Sequence, residues 1–433
     1  MASRNGQVEL DDVWRRLGTF GRYQLVQAAL LMTTVIPEGI QLLVVVFIGF
    51  RPPYHCANVS SSQIIADTAK YSNTSTDLSY HECHVDFIIS DTNTTLLSLS
   101  PCPAGYNYGL EKDRTFVTEY DLVCDGAELA ELSQTLLMVG QMVGAAILPQ
   151  CSDRFGRKPI LVSSHIGLLV AGLGCCFIPT FTGFAIMRFL IGAFQQGLAM
   201  TRPAMMLELF PKEVRYLTEV AALFAWTTSA VVMTPIVYFL RDLSWRYLYL
   251  VLTLTSAYSV LGYWIYDESV RWLLTNGKTA KAMTILKKAA RMNNVDEEKI
   301  MMIVDWASAV KLNTEEKVDI GVESEMKTET IFRNDDRYTS RNVLPKYTII
   351  TLFKRRRIAM ITLIMIFAWT VDSLTFYGLI LSSASLPVDR YLSFFLLAVA
   401  EYPVVVFEYT LMNRLGRKWF CIIFHAVAAL SLI

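Results

Sequence analysis

Two long apolar runs, residues 129–150 and 160–178, are joined by one short charged turn, Ser152-Asp153-Arg154-Phe155-Gly156-Arg157-Lys158-Pro159. Each run is near the roughly 20 apolar residues that a helix needs to cross the hydrocarbon core of a bilayer. The turn between them must then sit in water at one membrane face. Gly156 permits a tight reversal, and Pro159 can open the following helix, where its missing N–H costs nothing. Arg154, Arg157 and Lys158 place that face in the cytoplasm by the positive-inside rule.

The same turn returns as Asn413-Arg414-Leu415-Gly416-Arg417-Lys418, again between apolar runs. A charged turn used twice points to an internal repeat, and parallel repeats build one large class of transporters. The pair resembles the signature of the major facilitator superfamily, whose members have two six-helix halves. The expected fold is therefore an all-α polytopic membrane protein of the major facilitator type.

Composition agrees. The chain is 53% hydrophobic with a net charge of +0. A soluble protein is about 45–50% apolar with glycine already counted, and a neutral chain has no bulk attraction for nucleic acid. The N-terminus is polar through Arg22, and no cleavable signal peptide stands there. Cys56, Cys83, Cys102 and Cys124 share the 51–128 segment with N-x-S/T acceptors at Asn58, Asn73 and Asn93, and basic residues are sparse there. That combination describes an extracellular, glycosylated loop closed by two disulfides, with three pairings open. Cys151, Cys175, Cys176 and Cys421 read as plain apolar helix residues, and no metal-ligand spacing is found.

In chain order, 1–22 is a polar cytoplasmic lead and 23–266 a complete first transmembrane half of six spans that includes the 51–128 loop. Residues 267–357 form a cytoplasmic linker with amphipathic helices, and 358–433 an incomplete second half, spans seven to nine. Span one contains Pro37-Glu38-Gly39, and Glu38 is a functional candidate because ionisable groups at membrane depth are costly. Span four carries Arg188 and Arg202. Arg202 would disfavour a cationic substrate; it is expected to pair with Glu208 or to reach the cytoplasmic rim. Residues 278–292 pattern as a basic amphipathic helix with Ala282, Ile285, Leu286 and Ala289 on one face, and 314–340 as a charged linker. The run from Trp419 to Ile433 is shorter than the roughly 17–25 residues a span requires. The expectation is a second half truncated after about three helices, in a chain that does not transport alone.

Five stretches together resemble one family. They are Phe47-Ile48-Gly49-Phe50-Arg51-Pro52 with His55-Cys56, Tyr120-Asp121-Leu122-Val123-Cys124, the turn from Asp153 to Lys158, Arg188-Phe189-Leu190-Ile191-Gly192, and Glu268-Ser269 with Arg271-Trp272-Leu273-Leu274. They are similar to the organic cation, carnitine and organic anion transporters of the major facilitators. Asp267 and Val270 stand where that family usually has prolines. Trp369-Thr370-Val371-Asp372-Ser373, Phe376-Tyr377-Gly378-Leu379 and Glu401-Tyr402-Pro403 resemble the cation branch. The resemblance implies that Trp226, Trp369, Phe376 and Glu401 face a central substrate path. It also implies that Asp153, Arg154, Gly156, Arg157, Lys158, Arg188, Glu208, Arg215, Glu268 and Arg271 belong to gating motifs, repeated at Arg414, Gly416 and Arg417.

The residue chemistry fits on its own terms. Asp372 and Glu401 are carboxylates in apolar spans and should face the bundle interior. Desolvated aromatic faces attract cations by about 2 kcal/mol or more. The expected function is alternating-access transport of small organic ions at the plasma membrane, most simply organic cations or zwitterions such as carnitine, with organic anions as the alternative. A receptor or regulatory protein that transports nothing would have little use for carboxylates inside its spans. No phosphate-binding loop, catalytic triad or metal site is seen, so no enzyme and no cofactor are expected. The expected partners are the small organic ion and the lipid bilayer, with no nucleic acid.

Overall fold

A computed structural model describes residues 10–58, 76–89, 94–99, 102, 104–296, 353–383 and 389–431. Asn73, Asn93 and the 314–340 linker lie outside the described residues. The first segment departs from the expected polar lead. Leu10–Leu17 forms helix α1, and Val13, Trp14 and Leu17 on it are buried. The first span is broken into α2 (Arg22–Thr33), α3 (Val35–Leu43) and α4 (Val45–Ile48). Pro37 has no N–H to give the Thr33 carbonyl, so the helix resets there. The Thr34 N–H donates instead to the Leu31 carbonyl, at 3.2 Å.

The loop that follows corrects the all-α expectation. Strand β1 (Tyr54–Cys56) pairs with β5 (Tyr106–Tyr108), and β2 (Thr76–Tyr80), β3 (Val85–Ile89) and β4 (Thr94–Leu99) form an antiparallel sheet. Disulfides join Cys56 to Cys102 and Cys83 to Cys124, which resolves the pairing that spacing left open. A short helix, α5 (Phe116–Glu119), leads out of the loop.

Helices α6 (Ala127–Phe155), α7 (Arg157–Phe177), α8 (Phe181–Leu209) and α9 (Tyr216–Phe239) make the body of the bundle. Helix α10 (Trp245–Thr253) continues through a 3₁₀ stretch, Leu254–Leu261, into α11 (Gly262–Ile265). The α6–α8 contact is close because both helices offer glycine. A Cβ on Gly140 would come 2.0 Å from the Phe189 carbonyl oxygen, and one on Gly192 would come 2.0 Å from that of Leu137. Small residues let helix backbones approach in this way in membrane bundles.

Past the bundle, α12 (Val270–Thr275) and α13 (Thr279–Met292) lie against it. Ala282, Leu286 and Ala289 of α13 are buried, as the amphipathic pattern requires. Helices α14 (Arg356–Ser383), α15 (Arg390–Leu415) and α16 (Arg417–Ser431) follow. Among the described residues, seven helical stretches are long and apolar enough to cross a membrane. Helix α8 is not one of them, because Arg188, Gln195 and Gln196 lower its hydropathy. Its 29 residues nevertheless reach about 43 Å at 1.5 Å per residue.

Candidate functional site

The basic turn is the centre of a network of charges. Gly156 ends α6 with φ +121°, and a Cβ there would lie 2.4 Å from Glu268 Oε2. Glu268 Oε1 accepts from the backbone N–H groups of Arg157 at 2.9 Å, Lys158 at 3.1 Å and Ser269 at 3.0 Å. A carboxylate thus caps the start of α7, where the helix dipole favours negative charge. The Arg157 guanidinium bonds Asp153 and, at 3.4 Å, Glu208 of α8. Trp272 Nε1 donates to the Asp153 carbonyl at 2.7 Å, and Trp14 Nε1 to the Glu208 carbonyl at 3.1 Å. Lys158 lies 4.6 Å from the Tyr263 ring centroid, while the Arg154 side chain is exposed.

Asp11 of α1 supplies the part of this network that sequence reasoning missed. It is only 4% exposed, and its Oδ1 takes Arg215 at 3.0 Å and Arg271 at 3.1 Å. Its other oxygen accepts the Lys212 N–H at 3.3 Å. Asn293, after α13, accepts from the Tyr23 N–H at 2.9 Å and donates to the Leu17 carbonyl at 2.8 Å. The structure therefore gathers Asp153, Gly156, Arg157, Lys158, Glu208, Arg215, Glu268 and Arg271 at one end of the bundle. The only prior signal for Asp11 was the amphipathic run around it.

Arg188 is elsewhere. It is buried on α8, donating to the Gln41 carbonyl at 3.3 Å and to Gln134 Oε1 at 2.6 Å. Arg202, about four turns further along the same helix, pairs with Glu38 of α3, not with Glu208, and it does not reach the rim. The two side chains are 8% and 9% exposed. Pairing offsets part of the desolvation cost of the two charges, and losing either partner would leave the other buried alone. Gln195 ties in, donating to the Glu38 carbonyl at 2.8 Å and accepting from Gln141 at 3.0 Å. Toward the basic-turn end, Arg202, Lys212, Arg215 and Glu219 line a cavity of about 460 Å³ between α2, α8 and α9.

The residues expected on the substrate path divide into two groups. Glu401 of α15 is half-buried and accepts from Thr227 of α9 at 3.1 Å. The next residues, Thr228 and Tyr402, bond at 2.9 Å, and Phe224 meets the Tyr402 ring at 5.8 Å. Trp226 packs beside Gly39 of the first span, one residue from the Glu38–Arg202 pair. On α14, by contrast, Trp369 is 68% exposed and Phe376 is 38% exposed. Asp372 meets His425 of α16 at 3.1 Å and stays largely exposed. The structure thus joins Glu401 to Thr227 of α9, turns the neighbouring Trp226 toward Gly39 of the first span, and leaves Trp369, Asp372 and Phe376 on an outer helix. Gly416 has φ +75°, and Arg414 is exposed.

The sequence pattern of sugar (and other) transporters matches residues 42–433. The chain is 28% identical to solute carrier family 22 member 6-A of Xenopus laevis, over 94% of this chain and 71% of that protein. It is 26% identical to organic anion transporter 3 of Homo sapiens, over 94% of this chain and 70% of that one. Among solved structures, the xylose transporter XylE of E. coli in a partially occluded inward-open conformation is similar at 17% identity and a TM-score of 0.42, over 70% of this chain and 62% of that one. The chain spans about seven tenths of the two solute carriers and about six tenths of XylE. The chain belongs to the sugar (and other) transporter family of the major facilitators.

Proposed function

We propose that this chain carries small organic ions across the plasma membrane by alternating access, and that Glu401 draws the cationic group of a cation or zwitterion. One observation carries this reading. Among the described residues, two carboxylates lie inside the bundle, Glu38 and Glu401. Glu38 is neutralised by Arg202, whereas Glu401 has the Thr227 hydroxyl and, among the described residues, no ion pair. A half-buried carboxylate without a counter-ion attracts a cation from outside the protein. It stands at the seam between α9 and α15, the kind of midplane boundary across which one bundle rocks on another. Trp226 is the nearest aromatic in sequence on the α9 side, and its face suits a quaternary ammonium group.

A second reading is organic anion transport. It is favoured by the cavity lined by the basic side chains of Arg202, Lys212 and Arg215 beside Glu219, with Arg202 also meeting Glu38 and Arg215 also meeting Asp11. The similarity to human organic anion transporter 3 supports it as well. The separating experiment is uptake by expressing cells of a labelled tetraalkylammonium, a labelled trimethylammonium carboxylate and a labelled aryl carboxylate. Uptake of the first or second, lost in Glu401→Gln at equal surface level, supports the cation reading. Uptake of the aryl carboxylate alone supports the anion reading, and uptake of none of the three overturns both. The same reading puts the 51–128 loop outside the cell with a glycan on one or more of Asn58, Asn73 and Asn93, of which Asn58 is exposed. Glycosidase treatment should then lower the apparent mass, and an unshifted mass would count against that placement.

A further inference from the structure

We infer that the loop between the first two spans holds a divalent transition-metal site made by His81, His84 and Asp86, with zinc as the fitting ion. The argument begins with strand geometry. Strands β2 and β3 pair Tyr80 with Val85 and Ser79 with Asp86. The His81 N–H donates to the His84 carbonyl at 3.0 Å, so the chain reverses over Glu82 and Cys83. Side chains alternate faces along a strand. Ser79, His81, His84 and Asp86 therefore share one face of the hairpin. Val85, on the opposite face, is fully buried against the Cys56–Cys102 disulfide.

The distances suit a metal better than a hydrogen bond. Asp86 Oδ2 lies 3.5 Å from His81 Nε2 and 3.6 Å from His84 Nε2. Hydrogen bonds of this type fall at about 2.7–3.2 Å. Ligand bonds of about 2.0–2.2 Å in a tetrahedral site hold the ligand atoms about 3.3 Å from one another. The three ligand atoms already lie within 4.8 Å of one another. The two imidazoles are stacked, with centroids 4.5 Å apart and planes 17° from parallel, and both present Nε2 to the same carboxylate.

A second observation concerns the carboxylate itself. Asp86 Oδ1 is buried without a hydrogen-bond partner among the described residues. A buried polar atom in that state costs about 1–3 kcal/mol. A cation at the hairpin face would neutralise it. Ser79 Oγ stands 3.1 Å from His81 Nε2, and the metal would displace that contact. Two imidazoles and one carboxylate form a nitrogen and oxygen set of the kind zinc takes, with a fourth position open to water. The spacing His-x-x-His-x-Asp did not read as a ligand pattern because it works only across a two-residue hairpin. The Cys83–Cys124 disulfide anchors that hairpin beside the start of α6, so a bound ion would stiffen the outer approach to the bundle.

The test uses the full chain, purified in detergent with a histidine-free tag and with both disulfides intact, titrated with Co²⁺ and then Zn²⁺. The expected result is one Co²⁺ per chain with the intense visible absorption of a four-coordinate site, displaced by one equivalent of Zn²⁺. Outer-shell changes alone weaken metal sites by about 10–100-fold, so removing a ligand should weaken binding by about 100-fold. His81→Ala, His84→Ala and Asp86→Asn should each show that loss, while His55→Ala on the neighbouring strand should bind as the parent does. Absence of stoichiometric Co²⁺ binding by the unmodified chain would overturn the proposal, whatever the variants do. So would binding that survives His81→Ala with His84→Ala, or binding lost in His55→Ala.

Discussion

Gly156 and Gly416 occupy the same place in two turns of nearly the same sequence, in very different company. A Cβ at Gly156 would strike Glu268, whereas among the described residues nothing lies within 4 Å of one at Gly416. Arg157 reaches two carboxylates, while the first arginine of each turn, Arg154 and Arg414, is exposed. The ion pairs of the two regions differ in the same direction. Glu38 and Arg202 are buried together, whereas the side chains of His425 and Asp372 are 46% and 57% exposed. The motif thus encodes a reversal between two helices and no more. What sets the first turn apart is the set of partners that α1, α8 and α12 bring to it, and each of those lies far away in the chain.

Breaking the buried pair should have the largest effect. Glu38→Gln leaves the Arg202 charge buried without its partner, a cost of about 3–5 kcal/mol. Asp372→Asn at the exposed pair should cost at most about 1 kcal/mol. Thermal melts of the purified variants in detergent measure both. The double variant Glu38→Gln, Arg202→Gln should regain most of the loss. Equal melting temperatures for Glu38→Gln and Asp372→Asn would erase the contrast between the two regions.

The turns themselves come next. Gly156 has φ +121° and ψ +158°, a region that is essentially closed to residues with a side chain. Gly156→Ala should cost about 1–3 kcal/mol in strain, and more through the contact with Glu268. Gly416→Ala, at φ +75° in open surroundings, should cost about 1–2 kcal/mol. Folded yield and melting temperature should order as parent, Gly416→Ala, Gly156→Ala. The reverse order would mean that the second turn is the more constrained one.

The smallest effect belongs to the rim of the first network. Glu213 meets Arg15 at 2.5 Å with both side chains exposed, and that hydrogen bond holds the carboxyl below its ordinary range. A depressed carboxyl contributes above its unfolded value and loses that contribution as pH falls through the folded one. Melting temperature should therefore not change between pH 6 and 8 through this pair. Glu213→Gln should differ from the parent fully above the ordinary carboxyl range and progressively less as pH falls below it, and the difference should shrink as salt is added. A difference that grows at low pH would reverse the sign.

Much of this fold was legible because hydropathy and length alone dictate spans. The amphipathic face of α13 was equally plain from the spacing of Ala282, Leu286 and Ala289. The first-turn motif named residues that the structure brings together, but not what they touch. Arg202 was misassigned because its partner, Glu38, lies 164 residues away, whereas Glu208 is six residues away on the same helix. Asp11 bonds residues 204 and 260 positions distant and sits in a segment that reads as a polar lead. The loop strands escaped because their order rests on disulfides whose pairing spacing leaves open. Trp369 and Asp372 match a family pattern, yet the face they occupy depends on packing around α14, which no local pattern reports.

The central claim is that an uncompensated carboxylate, Glu401, selects the charge of the substrate at the α9–α15 seam. The most direct measurement is equilibrium binding of a labelled trimethylammonium carboxylate and of a labelled aryl carboxylate to the purified chain, parent against Glu401→Gln. The account expects the substitution to weaken the first by about 10- to 150-fold, since one lost charge-assisted contact is worth about 1.5–3 kcal/mol, and to leave the second unchanged or tighter. Unchanged binding of the cationic ligand, or loss of the aryl carboxylate alone, would contradict it.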